Sequence, residues 1–214
     1  MIIRLDKMIP LPMLEQDTTG SEVWGAESIL FEQGKTYIIE APSGRGKTSL
    51  LSVIYGIRKD YQGKVYLDNG DIISFSWKEW STVRKKRLSF IFQGLELFDN
   101  LTALENIQLK NSITHHQSLK RIEEMAEKLE MVDFLQRKAG ILSFGQQQRV
   151  AIIRALCQPF DYLLADECFS HIDRENSLKA YQVIREECES QGAGLILTSL
   201  NGTELLDAHV RLQL

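Results

Sequence analysis

Ala41-Pro42-Ser43-Gly44-Arg45-Gly46-Lys47-Thr48 stands between a short apolar run at 37–40 and a stretch of helical character reaching about Tyr55. No other feature limits the fold as much. A strand must deliver the chain to a glycine turn and a helix must begin directly after it, which predicts an α/β architecture. Gly44 and Gly46 let the backbone wrap closely around a phosphate, and the N-terminus of the following helix points at its charge. Lys47 supplies a flexible point charge to β- and γ-phosphates, and Thr48 a hydroxyl for Mg²⁺. A nucleoside triphosphate suits this pattern best. A glycine turn beside a solvated lysine is the blander reading, but nothing would require such a turn to fall between a strand and a helix.

The stretch 142–167, LSFGQQQRVAIIRALCQPFDYLLADE, repeats the logic with different chemistry. Ser143 is a helix-start residue, and Gln146 follows at the capping-box position. Val150, Ile153 and Leu156 recur at helical spacing until Pro159. Tyr162, Leu163, Leu164 and Ala165 then read as a buried parallel strand. Asp166 and Glu167 sit where that strand leaves the sheet. Ligands of open α/β sheets bind outside the carboxyl ends of the strands, so two acids there point to metal and water chemistry. Two solvated loop acids are the alternative.

The rest of the chain narrows the class. The 214 residues can bury a sizeable core as one domain with a sub-lobe. With 25 lysines and arginines against 29 acids, the net charge of −4 gives no strong basic field for nucleic acid or anionic lipid. Cys157, Cys168 and Cys188 lack CxxC or His-paired spacing, which suits a reducing cytosol. No stretch approaches the roughly 18 apolar residues of a membrane span, and the first ten residues do not read as a signal peptide. Strands are expected at 1–5, 22–31, 37–40, 63–67 and 88–92, and a last one at 195–198. Trp24 is read as packing within the N-terminal sheet. Helices are expected at 77–84, 101–110 and 116–136, with Met125, Leu129 and Val132 as the packing stripe of the last. Arg84-Lys85-Lys86-Arg87 reads as a solvated face. His115 and His116, with no partner at ligand spacing, read as loop or helix-start residues.

Taken together and in order, APSGRGKT, the glutamine of FIFQ, LSFGQQQR, LLADE and SHID resemble the nucleotide-binding subunit of the ABC ATPase family. The resemblance covers nearly the whole chain, and LSFGQQQR is its most specific element. LDNGDI, FIFQ and LTALENI are most similar to subunits serving lipoprotein-release, macrolide-export and cell-division transporters. The resemblance implies a P-loop NTPase (RecA-like) core sheet with an N-terminal antiparallel β subdomain and an inserted α-helical subdomain. It implies one domain over 1–214, with its core at about 1–93 and 146–214 and the helical part at about 94–145. Two subunits would pack head to tail, each ATP lying between the phosphate loop of one and the signature of the other.

The resemblance also implies residue roles. Ala41, Pro42, Ser43, Gly44, Arg45, Gly46, Lys47, Thr48 and Ser49 would bind nucleotide from one side. Ser143, Phe144, Gly145 and Gln146 would meet the γ-phosphate from the other. Thr48, Gln93 and Asp166 would hold Mg²⁺, Glu167 would act as general base, and Lys47, Gln93 and Ser199 would complete the catalytic set. Ser170 and Asp173 would lie in the loop communicating between the two sites. Residues 93–106, from Gln93 to Asn106, would face an integral-membrane transporter subunit, placing the chain in the cytoplasm, peripheral to the membrane; no nucleic-acid partner is implied. Four positions depart from the pattern. Ala41 replaces the first loop glycine, Phe144 a signature glycine, and Cys168-Phe169 the usual Pro-Thr; Ser199 stands where the family places a histidine on the γ-phosphate. No aromatic residue stands near Thr18, where the family stacks adenine, and Trp24 is the nearest. The resemblance implies an ATP-hydrolysing subunit that drives its membrane partner; the missing histidine makes that hydrolysis slow and opens an alternative, a hydrolysis-weak ATP-gated clamp or regulatory subunit. A soluble ABC ATPase unconnected with transport is a further alternative.

Overall fold

Residues 37–40 do form the strand that feeds the glycine loop, and their alternation organises the molecule. The computed structural model describes residues 1–200 and 206–214. In chain order the elements are β1 (Ile2–Pro10), β2 (Ile29–Glu32), β3 (Thr36–Glu40), α1 (Lys47–Ile54), β4 (Tyr61–Leu67), β5 (Gly70–Asp71), α2 (Trp77–Lys86) and β6 (Leu88–Ile91). They continue with α3 (Ala103–Thr114), α4 (Leu119–Lys128), α5 (Phe144–Leu156), β7 (Tyr162–Asp166), α6 (Arg174–Ser190), β8 (Gly194–Ser199) and β9 (Val210–Gln213).

A parallel sheet in the order β6-β7-β8-β3-β9 forms the centre. Successive side chains of a strand point to opposite faces, and here both faces are covered. Ile38, Leu163, Ala165, Leu195 and Leu197 join one core with α5 and α6; Tyr37, Ile39, Tyr162, Leu164 and Ile196 join the other with α1. The first core continues without a break into Ile107 of α3 and Ile122 and Met125 of α4. The second is closed by an antiparallel sheet, β2-β1-β4-β5, through Ile3, Leu5, Phe31 and Val65. Each fully buried leucine, isoleucine or phenylalanine contributes about 1.5–3 kcal/mol relative to an exposed one.

Three expectations need correcting. Only Ile29–Glu32 of the 22–31 run is a strand. The Ser21 hydroxyl accepts the N–H groups of Val23 (3.1 Å) and Trp24 (2.8 Å), and Gly25 takes φ +72°, so the chain turns. A side-chain acceptor has replaced a ladder partner. The 116–136 helix shortens to Leu119–Lys128, opened by the Ser118 cap on the Arg121 N–H at 3.1 Å. Glu130 at φ +55° and the Met131 N–H on the Ala126 carbonyl (2.7 Å) end it. Val132 is therefore 51% exposed, and the packing stripe is Ile122, Met125, Ala126 and Leu129. The basic run is solvated only at Lys85 and Lys86. Arg84 donates to the carbonyls of Tyr55 (3.1 Å) and Gly56 (2.9 Å), and Arg87 pairs with Asp68 and Asp161, both at 2.7 Å. His115 ends α3 in a left-handed conformation, and no grouping of three metal-ligating His, Cys, Asp or Glu occurs among the described residues.

Candidate active site

The sheet order decides what can meet. β6, β7, β8 and β3 are neighbours and parallel, so their carboxyl ends line up along one rim. From that rim come Gln93 just after β6, Asp166 and Glu167 at β7, Ser199 at β8, and the glycine loop after β3.

In the loop, Gly44 and Gly46 adopt φ +81° and +92°, a region open to glycine, and Gly46 caps α1. Ala41 is absent from the positive-φ residues, so the alanine in place of glycine carries no backbone strain. Its N–H donates to the Ser199 carbonyl at 3.3 Å, tying the loop to the end of β8. The loop is also held from outside by a residue that sequence reading assigned elsewhere. Trp24 lies in the turn after Ser21, and its indole N–H donates to the Arg45 carbonyl at 3.2 Å. A Cβ at Gly46 would lie 2.9 Å from the Trp24 ring and 3.0 Å from the Met13 sulfur. Trp24 is thus a wall of the loop, and a tryptophan beside a turn serine was the only sequence signal for it.

Lys47 is buried. Its ammonium donates to the carbonyls of Ala41 (2.6 Å) and Pro42 (3.0 Å) and pairs with Glu167 Oε1 at 3.1 Å. Gln93 Nε2 donates to the other Glu167 oxygen at 3.2 Å. Glu167 itself has φ +46°, held by its N–H on the Thr198 carbonyl at 3.1 Å. Such a conformation for a non-glycine residue costs energy and turns the side chain out of the strand's alternation. Asp166, 1% exposed, accepts from the Thr198 hydroxyl at 2.7 Å. Burial pushes its carboxyl above the usual carboxylate range, opposed by hydrogen bonds from Thr48 and Thr198 and by Lys47. Ionising a carboxylate there calls for a cation close by.

The signature residues lie elsewhere on the chain. Ser143 is exposed and forms a complete capping box: its Oγ accepts the Gln146 N–H at 3.3 Å, and Gln146 Oε1 accepts the Ser143 N–H at 2.9 Å. Phe144 is 44% exposed, and Gly145 packs against the loop that follows β7. In that loop Asp173 caps α6 through the Asn176 N–H at 3.0 Å. Among the described residues, no hydrogen bond joins 143–146 to 41–49. The structure therefore brings Lys47, Thr48, Gln93, Asp166 and Glu167 together and leaves Ser143, Phe144, Gly145 and Gln146 on a separate outer tip. Arg154, at the far end of α5, donates to the carbonyls of Leu95 and Glu96, both at positive φ. It clasps the loop that begins at Gln93, a link with no sequence signal of its own.

The sequence profile described as ABC transporter matches residues 27–170. The chain belongs to the ABC transporter family. Lipoprotein-releasing system ATP-binding protein LolD 1 of Chlorobium chlorochromatii (strain CaD3) is 34% identical over 160 residues, 73% of this chain and 65% of that one. An ABC transporter ATP-binding protein of Mycobacterium tuberculosis (strain CDC 1551 / Oshkosh) is 31% identical over 168 residues, 77% of this chain. This chain spans about half the length of that relative, 51% by the aligned share. MJ0796 of Methanocaldococcus jannaschii is 32% identical over 175 residues, 78% of this chain and 74% of that one. Its dimeric cassette structure superposes with TM-score 0.78 at 27% identity, covering 99% of this chain and 94% of that chain. A second MJ0796 structure, a dimer in a post-hydrolysis state bound to ADP and Pi, gives TM-score 0.73 at 28% identity, covering 93% of this chain and 88% of that chain. The family explains the rim. Left-handed glycines under a helix N-terminus, a buried ammonium, and a buried carboxyl beside two threonine hydroxyls fit a magnesium nucleotide.

Proposed function

We propose that this cassette binds and hydrolyses ATP, dimerises head to tail around two nucleotides, and drives an integral-membrane partner. The observation that carries the reading is the meeting of Lys47, Gln93 and Glu167 at 3.1–3.2 Å on the rim, beside the loop. Backbone N–H groups of Gly44 to Thr48 bind phosphate oxygens, and Lys47 adds its charge. Thr48 and Asp166, with Gln93, hold Mg²⁺, which neutralises charge on the phosphates when bound. A phosphate in the loop competes with Glu167 for Lys47, and the released carboxylate accepts a proton from the attacking water. Gln93 orients that water from the other side. The exposed Ser143 cap and the N-terminus of α5 complete the grip across the dimer.

Ser199 occupies the end of β8, paired with Glu40 of β3. A serine side chain is short and uncharged, and losing one preorganised donor to a transition-state phosphate costs about 10²–10³ in rate. Hydrolysis is therefore slow. A clamp without hydrolysis is the second reading, favoured by Ser199 and opposed by Glu167, which such a clamp would not need. The membrane partner meets residues 93–106, where Phe98 is 59% exposed and Asn106 fixes the turn through its bond to the Phe98 N–H at 2.8 Å. That contact puts the cassette at the cytoplasmic face of a membrane; no helix among the described residues is long and apolar enough to cross one. Phosphate release from Mg-ATP decides between the readings. The enzyme reading expects slow turnover that Glu167→Gln removes; equal release by both proteins, or none by either with nucleotide bound, overturns it.

A further inference from the structure

Two unusual side chains of the signature region meet in space. The Phe144 ring, where the family carries glycine, contacts the imidazole of His171 edge-on, with centroids 4.4 Å apart and planes at 65°. The backbone is fitted as closely. A Cβ on Gly145 would stand 2.9 Å from the His171 carbonyl oxygen, so the loop after β7 is seated on the first turn of α5. Buried Gln148 donates its Nε2–H to Ser170 Oγ at 3.4 Å, and the same oxygen lies 2.9 Å from His171 Nδ1, in a hydrogen bond that the hydroxyl can donate. In the tautomer whose Nδ1 accepts that bond, the ring proton is carried on Nε2. Nε2 has no hydrogen-bond partner among the described residues, and His171 is exposed. The loop thus holds an exposed ring by its edge-on contact and its Nδ1, with Nε2 left over, next to the Ser143 cap.

We propose that His171 is a further catalytic residue, acting on the neighbouring copy. Its Nε2–H donates to a γ-phosphate oxygen of the nucleotide seated in the other copy's phosphate loop, and it supplies in trans the donor that Ser199 cannot. This rests on the head-to-tail dimer proposed above. No proton is transferred by His171. The water's proton goes to Glu167, and the imidazole only stabilises negative charge on the phosphate as the bond to the leaving group breaks. The same loop connects back to its own site, since the Ser170 N–H donates to the Glu167 carbonyl at 3.2 Å.

Mixed dimers give the decisive test. His171→Ala should lower kcat by about 10²-fold with KM for Mg-ATP nearly unchanged, and His171→Gln, which keeps a terminal N–H, should retain more activity. Mixed with Glu167→Gln, His171→Ala should regain turnover well above the mean of the two pure variants, because one hybrid site then holds Glu167 from one copy and His171 from the other. Wild-type turnover in His171→Ala, or no gain on mixing, overturns the proposal. A readout independent of turnover is the imidazole ¹⁵N spectrum in the Glu167→Gln background. Mg-ATP should move the Nε2 resonance that is absent from the His171→Gln/Glu167→Gln protein; an unmoved resonance in a nucleotide-bound dimer contradicts the contact. If Glu167→Gln does not associate with Mg-ATP at all, the dimer reading fails, and this inference with it.

Discussion

Lys47 and Glu167 form the most consequential pair, because each is held by groups that a nucleotide would displace. Both are largely buried, and Lys47 already takes two backbone carbonyls. A phosphate therefore enters a site where positive charge is already in place and has to draw Lys47 away from Glu167. Ser199 is the weak point on the same rim. In the His171→Ala background, where no imidazole reaches the phosphate, Ser199→His should raise kcat by about tenfold or more while leaving KM for Mg-ATP nearly unchanged; equal turnover in steady-state phosphate release would mean that a third group fills the role. Burial pushes the thiols of Cys157 and Cys188 up to about 12. The neutral thiol is thus favoured by folding, a contribution fully present below the unfolded value of about 8.5 and lost as pH rises towards the folded one. At about pH 8 the native chain should resist iodoacetamide at both positions, and denaturant should make both reactive, as read by mass spectrometry.

At the scale of elements, α4 is fixed to α6 by a charge network. Arg121 and Gln117 both donate to Glu187, which is 2% exposed, and Lys128 pairs with Glu186. Glu187→Ala leaves Arg121 without its buried partner and should cost on the order of 3 kcal/mol in denaturant unfolding; a change below experimental error would mean that Arg121 finds water instead. Local signals were read correctly where a single backbone rule dominates. Ser143 with Gln146 gave the start of α5, and the glycine loop gave the junction of β3 and α1. They failed where a distant or competing group decides. The strand expected at 22–31 concealed a turn made by the Ser21 hydroxyl, and apolar spacing carried α4 past its left-handed stop at Glu130. Trp24 and Thr198 were missed because each acts on a loop or acid far away in sequence. A single chain's pattern holds no record of such pairings.

For the molecule as a whole, the arrangement is incomplete on one copy. The rim holds the phosphate loop and acids, while the Ser143 tip is exposed and shares no hydrogen bond with residues 41–49 among the described residues. In the dimer proposed above, a second copy related by a two-fold axis would close this gap. A membrane partner belongs to the same picture: affinity capture of Glu167→Gln from solubilised membranes with Mg-ATP should recover an integral-membrane subunit, and recovery of the cassette alone would favour a non-transport role. The most direct measurement is sedimentation of Glu167→Gln with and without Mg-ATP, beside the same variant carrying Ser143→Glu. The account predicts a doubling of mass on adding Mg-ATP to the first protein and a monomer throughout for the second. A nucleotide-saturated Glu167→Gln that stays monomeric, or a dimer indifferent to Ser143→Glu, would contradict it.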